Sequence, residues 1–269
     1  MSFLQVSGAQ IYYETRGSGP LLLLIPGASG DANVFSGLAQ ELSIRCTVAT
    51  YDRRGFTRSS LNGRQDYAHR LDTDADDALA LIRHLTDQPA LVFGTSSGAV
   101  VALHLLIRHP DAVRKLVSFE PAAMRLLPDG QVWIDFFHEV YQVYRRFGTH
   151  PALALFRERT FASVDHDLMR KATHSSTLLH VPGNLMYWFE RELREYTSAS
   201  LNINALKEMS SRIVPAVGRA SEGYPTYAAA IELGRLLQRE ILSLPGGHVG
   251  YAVHASEFAT ELLQAYELT

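Results

Sequence analysis

One cysteine, Cys46, stands in a chain of 269 residues, which excludes a disulfide within the chain. It lies beside an apolar run and reads as a buried thiol rather than a reactive one. No apolar run reaches the about 18 residues that suggest a membrane-spanning helix. The opening segment, Met1 to Val6, lacks a charged stretch followed by an apolar one, so no secretory leader is expected and a cytoplasmic protein is. Basic residues do not predominate: 25 Lys and Arg face 28 Asp and Glu, a net charge of −3. No basic stripe suggests nucleic acid or an anionic membrane. The 11 histidines are scattered, without H-E-x-x-H or another strong ligand spacing, so neither a metal nor a cofactor is expected. Internal repeats and low-complexity tracts are missing too. What is there is 46% hydrophobic and 20% charged, ample for one large core or a core with an insertion.

Short apolar runs alternate with helical patterns. Leu21 to Ile25 is continuously apolar, as expected of a parallel strand covered on both faces. Thr47 to Tyr51, Ala90 to Phe93, Lys115 to Phe119, Ile213 to Val217 and Glu240 to Leu244 are similar. Helical spacing predicts helices over Val34–Leu42, Asp74–Leu85, Ser97–Arg108, Tyr227–Leu237 and Ser256–Tyr266. Phe3–Val6 and Ile11–Thr15 predict a hairpin across Gly8. The alternation implies an α/β class with a mostly parallel central sheet and right-handed crossovers. It breaks between Pro121 and about Leu206, where helix and loop but no strand are expected. The expected organisation is therefore a core over 1–120 and 207–269, with a helical insertion over 121–206. Within the insertion, Trp133, Phe137, Tyr187 and Trp188 are the candidates to line a substrate pocket.

The chemistry starts at Gly94-Thr95-Ser96-Ser97-Gly98, between an apolar run and a helical pattern. A G-x-S-x-G turn from strand to helix is strained, and its glycines let strand and helix approach closely. It presents a serine hydroxyl above the sheet at a helix N-terminus. That hydroxyl needs a base, and His248 follows the last predicted strand in a glycine-rich loop. Loops at the carboxyl ends of parallel strands gather on one edge, so His248 can meet Ser96. A third group should orient the imidazole. Glu120 and Glu222 both follow strands on that edge; Glu120 is preferred because Glu120-Pro121 fixes the exit from its strand. Two backbone N–H groups should meet a developing oxyanion. They are assigned to Ser97 and to Ala28, with Ser29 second to Ala28. The Asp52-Arg53-Arg54-Gly55 turn is expected to tie its loop down. The acids Asp72, Asp74, Asp76 and Asp77 are expected to precede a helix and favour its N-terminus.

Together these segments resemble the α/β-hydrolase fold superfamily. The resemblance rests on Gly17-Ser18-Gly19-Pro20, Pro26 to Gly30, Asp52 to Gly55, Gly94 to Gly98 and Gly246-Gly247-His248, and covers about two thirds of the chain. It implies a helical cap over the active site. Two departures stand out. The usual His-Gly of the oxyanion loop is Pro26-Gly27 here, and the usual position of the acid falls near Ser221. Phe119-Glu120-Pro121 instead is similar to the His-Glu-Pro segment of zearalenone-type lactone hydrolases, whose acid follows strand six. The resemblance thus implies Glu120 as the acid and esters or lactones as substrates.

The function expected is a serine hydrolase that cleaves an ester or lactone of a small, largely apolar molecule through an acyl-enzyme. An acyltransferase, a C–C hydrolase or a perhydrolase would use the same residues. A small-molecule receptor on this fold is the alternative of another class. The expected partner is a small molecule, and a homodimer is compatible with the sequence.

Overall fold

The computed structural model describes residues 2–28, 30–174 and 180–268. The chain opens with β1 (Ser2–Val6) and β2 (Ala9–Arg16), an antiparallel hairpin that turns at Gly8 with φ +74°. β3 (Leu21–Ile25) and β4 (Thr47–Tyr51) follow, and the two-residue β5 (Ser60–Leu61) pairs with β2. β6 (Ala90–Thr95), β7 (Val113–Phe119), β8 (Ile213–Gly218) and β9 (Leu242–Leu244) complete the sheet. Along the sheet the order is β1-β2-β4-β3-β6-β7-β8-β9, with every pair from β4 to β9 parallel. From β3 the chain runs to β4 on one side, then crosses to β6 on the other. This is where strand order reverses, so the turns after β3 and β6 diverge and leave a crevice.

The unbroken apolar run in β3 follows from its place in the middle of the sheet. Leu21, Leu23 and Ile25 pack on one face, Leu22 and Leu24 on the other. On the first face lie α2 (Arg70–Leu85), α3 (Ser97–Arg108) and α10 (Pro225–Leu237). On the second lie α1 (Ser36–Leu42) and α12 (Ala255–Ala265). His109-Pro110 ends α3, because the proline ring is incompatible with a further turn.

Between β7 and β8 the described residues form helices only. They are α4 (Gly130–Phe147), α5 (Thr149–Thr160), α6 (Ser163–His174), α7 (Val181–Arg191), α8 (Leu193–Thr197) and α9 (Ile203–Glu208). Phe136, Phe137, Val140, Trp188, Phe189 and Leu193 bury one apolar cluster among them. A short helix, α11 (Gly250–Val253), follows the loop after β9. No described helix is long and apolar enough to cross a membrane.

One expectation is corrected. The acidic run does not precede a helix, because α2 already starts at Arg70. Only Asp72 lies in its first turn. Asp74 and Asp77 face inward and pair with buried arginines: Asp74 with Arg53 and Arg70, Asp77 with Arg54. A buried guanidinium is tolerated only with a counter-charge, and that requirement outweighs the helix dipole here.

Cys46 is fully buried, and burial pushes its thiol up to about 11. At mildly alkaline pH it should react with Ellman's reagent only as fast as the protein opens, and at once in denaturant. Immediate stoichiometric labelling of the native protein would show an accessible thiol.

Candidate active site

Ser96 joins β6 to α3 with φ 55° and ψ −124°, a backbone conformation that costs a non-glycine residue about 1–3 kcal/mol. Hydrogen bonds hold it there. Its N–H donates to the Phe119 carbonyl at 3.0 Å, and its carbonyl accepts from Ala99 at 3.0 Å and Ala122 at 3.2 Å. The flanking glycines are dictated by contact. A Cβ on Gly94 would lie 2.6 Å from the Gly98 carbonyl, and one on Gly98 would lie 2.3 Å from the Ile25 carbonyl.

Glu120 leaves β7 with φ 44° and is fully buried. Its N–H donates to the Ala216 carbonyl of β8 at 2.9 Å, and its Oε1 accepts from Gly218 N–H at 2.8 Å. Oε2 meets Nδ1 of His248 at 2.6 Å and accepts from the Thr226 hydroxyl at 3.2 Å. The loop carrying His248 comes close to β8, since a Cβ on Gly218 would fall 2.5 Å from the Gly247 carbonyl. Glu222, the other carboxylate weighed from the sequence, follows β8 but is exposed.

Two groups from the helical segment also hold His248. The Phe161 ring lies against the imidazole with centroids 4.5 Å apart. Asp165, in the first turn of α6, is 2% exposed. Its carboxylate accepts the backbone N–H groups of His248 at 3.0 Å and Val249 at 3.1 Å. Gly247 must be glycine, as a Cβ there would lie 2.3 Å from Oδ2 of Asp165.

On the other side of Ser96, a Cβ added to Gly27 would lie 3.0 Å from the Ser96 Cβ. The Gly27 carbonyl accepts from Gly30 N–H at 2.9 Å and from Nη2 of Arg53 at 2.7 Å. In a trans peptide the carbonyl and the following N–H point in opposite directions. Arg53 therefore aims the Ala28 N–H away from itself. Among the described residues no protein acceptor takes the N–H of Ala28 or Ser97. Ser29 lies outside the described residues.

Arg53 has 0% exposure and sits in a charge network. It contacts Asp74 at 3.0 Å and Glu192, at the start of α8, at 2.7 Å. Burial opposes its charge, but Glu192 and Asp74 outweigh burial and hold the guanidinium above its ordinary pKa. Burial likewise opposes charge on Asp74, and Arg70 with Arg53 overcomes it, leaving the carboxyl below its ordinary pKa. As expected, the Asp52-Arg53-Arg54 turn is tied down rather than presented to a ligand: Arg54 pairs with Asp77 at 2.6 Å, and Arg58 with Asp52 at 2.6 Å.

A cavity of about 360 Å³ opens over Ser96 and His248, with Gly27 and Ala28 in its wall. Of the four aromatic candidates, Trp188 lines it. Trp133, Phe137 and Tyr187 do not, and each has another engagement. Trp133 meets Phe136 edge-on, under Arg159, and Phe137 packs between Phe136 and Phe156. Tyr187 stands edge-on to Phe56, with its hydroxyl accepting from Arg70. The sequence reading missed Leu153, Phe156, Arg157 and Phe161 of the cavity wall, and Asp165 and Thr226 around His248. The apolar pattern of α5 is too weak to single out its residues, and nothing local marks Asp165 or Thr226. Among the described residues no group of three or more His, Cys, Asp or Glu could hold a metal ion.

A mostly parallel sheet, a serine on a strained strand-to-helix turn and a histidine after the last strand are features of one class of protein. Residues 20–239 match the family profile described as alpha/beta hydrolase fold, and the chain belongs to that family as a hydrolase of this fold. It is 37% identical over 263 residues to YraK of Bacillus subtilis, an uncharacterized hydrolase, covering 96% of this chain and 93% of that one. Over 119 residues it is 29% identical to the zearalenone hydrolase of Bionectria ochroleuca, covering 42% of this chain and 44% of that one. Among solved structures it is similar to the enol-lactonase of Burkholderia xenovorans, with a TM-score of 0.72 and 17% identity, over 99% of this chain and 100% of that one.

Replacing Asp165 with alanine strips an acceptor from the buried N–H of His248 and the part-buried N–H of Val249. At about 1–3 kcal/mol for a buried donor left alone and less for the part-buried one, Asp165→Ala should lose roughly 1–4 kcal/mol in urea unfolding. Asp165→Asn, which keeps one acceptor oxygen, should lose less. A loss below about 1 kcal/mol in Asp165→Ala would mean that other groups satisfy these donors.

Proposed function

We propose that the protein is a serine hydrolase that cleaves esters or lactones of small, largely apolar molecules. The contact that carries this reading is His248 Nδ1 to Glu120 Oε2 at 2.6 Å, with both His248 and Ser96 lining one cavity. Ser96 Oγ attacks the substrate carbonyl while Nε2 of His248 takes its proton. Nδ1–H of His248 stays directed at Glu120, whose carboxylate stabilises the imidazolium as it forms. The negative charge that moves onto the carbonyl oxygen meets the N–H groups of Ala28 and Ser97. Collapse of the tetrahedral species breaks the bond to the alcohol oxygen, which leaves with the proton from His248. Water, deprotonated by His248, then attacks the acyl-enzyme by the same steps and frees Ser96.

In this reading 121–206 is a cap over a core formed by 1–120 and 207–269, and Trp188 meets the substrate from the cap side. The apolar wall of Leu153, Phe156, Phe161, Leu185 and Trp188 supports an apolar substrate body. The names of the zearalenone hydrolase and the enol-lactonase support lactones as one substrate class.

A fluorophosphonate should label Ser96 and no other serine, and Ser96→Ala should lose both labelling and turnover of p-nitrophenyl acetate. Glu120→Gln should fold and lose activity by several orders of magnitude, given the roughly 10⁴-fold loss for the equivalent change in a serine-protease triad. Glu222→Gln should stay within about tenfold, or about 1.4 kcal/mol in barrier. Esterase activity surviving in Ser96→Ala would overturn the reading, and a receptor without turnover would fail the first assay.

A further inference from the structure

The cavity over Ser96 carries one fixed charge among the described residues, and it is a cation. On α5, Leu153, Phe156 and Arg157 line the cavity together, at the i, i+3, i+4 spacing that shares one helix face. No Asp, Glu or Lys lines it among the described residues. Arg157 is partly buried, its Nε is buried without a hydrogen-bond partner, and no described carboxylate lies within salt-bridge distance. Residues 175–179 contain no Asp or Glu either.

Other buried arginines in the chain are provided for. Arg53 also leaves Nε alone, but its remaining donors reach Glu192, Asp74 and Gly27. Arg194 also leaves Nε alone, and its guanidinium lies over the Tyr141 ring at 3.7 Å. Arg157 has neither arrangement. A guanidinium against an apolar wall is costly without a counter-charge, and it presents a planar fork that matches a carboxylate.

We propose that Arg157 is a specificity-determining residue that binds a carboxylate on the substrate. The favoured substrates are then esters or lactones bearing a second, free carboxylate. This rests on the ester-hydrolase reading above and adds to it the charge of the substrate. One cation balances one negative charge, which suits a carboxylate better than a doubly charged phosphate. The apolar side chains that line the cavity together with Arg157 would take the carbon skeleton that joins carboxylate to ester.

The test uses monomethyl adipate and methyl hexanoate, which differ in the free carboxylate. Binding is measured by calorimetry on Ser96→Ala, so the result does not depend on turnover. The monoanion should bind at least tenfold tighter, and added salt should shrink that preference. In Ser96→Ala/Arg157→Gln the preference should vanish. Arg157→Lys, which keeps the charge but loses the fork, should retain part of it. Equal binding of the two esters, no binding of either, or a preference that Arg157→Gln leaves intact would each overturn the proposal. Turnover is read separately with the unsubstituted protein on both esters. Hydrolysis of both with no preference sinks the carboxylate subsite alone. Carboxylate-selective binding without hydrolysis of either sinks the ester-hydrolase reading alone.

Discussion

The guanidinium of Arg53 has no route to water, and its charge is met by Asp74 from α2 and by Glu192 from the start of α8. Removing one member of such a buried set leaves an uncompensated charge, at about 3–5 kcal/mol. The network therefore fixes three parts of the chain against one another. They are the turn after β4, the second helix and the far end of the helical segment. The third partner of Arg53, the Gly27 carbonyl, carries that rigidity to the peptide beside Ser96. Turning that peptide over would lose the bond to Arg53 and the one from Gly30 together. In the reading we propose, the donor at Ala28 is thus set by folding and needs no rearrangement when the substrate arrives.

The same economy of motion holds at the histidine. Its ring is bounded by Phe161 and bonded to Glu120, and its backbone N–H is taken by Asp165. Glu120 is in turn held by Gly218 and Thr226. In the reading we propose, a carboxylate on the strand before the usual one can serve because β7 and β8 are parallel neighbours. Glu120 Oε1 reaches across to accept the N–H of Gly218 at the end of β8. The non-acid at Ser221 fits this geometry, since the space beside His248 is already filled from β7.

How much of this could be read from the chain depends on the range of the interaction. The strands were legible because a strand buried on both faces must be apolar throughout, as Leu21 to Ile25 is. The turn at Ser96 was legible because close approach demands glycine at fixed offsets on either side. Glu120 and His248 were legible as strand-end residues, since topology brings such positions to one edge. Pairings between the helical segment and the rest of the chain were not. Arg53 meets Glu192 across 139 residues, and Asp165 meets His248 across 83, with no local pattern to mark either. The acids of α2 were misread because the sequence shows where charge lies on a helix only once the helix start is known. Aromatic residues of the helical segment were legible as pocket candidates, but residue type does not say which of them face a cavity. Trp133 and Phe137 satisfy the pattern by packing on their neighbours.

The carboxylates of Asp165 and Glu192 have a consequence for recombination. Both lie in the helical segment, and both satisfy groups outside it: two backbone N–H donors in one case, two guanidinium groups in the other. The segment is therefore not a cassette that can be exchanged freely between relatives. A graft that lacks acids at these two places would leave orphaned donors and cations in the recipient, however well its apolar face fitted. An exchange that reshapes the cavity wall must therefore keep those two anchor points or replace their partners at the same time.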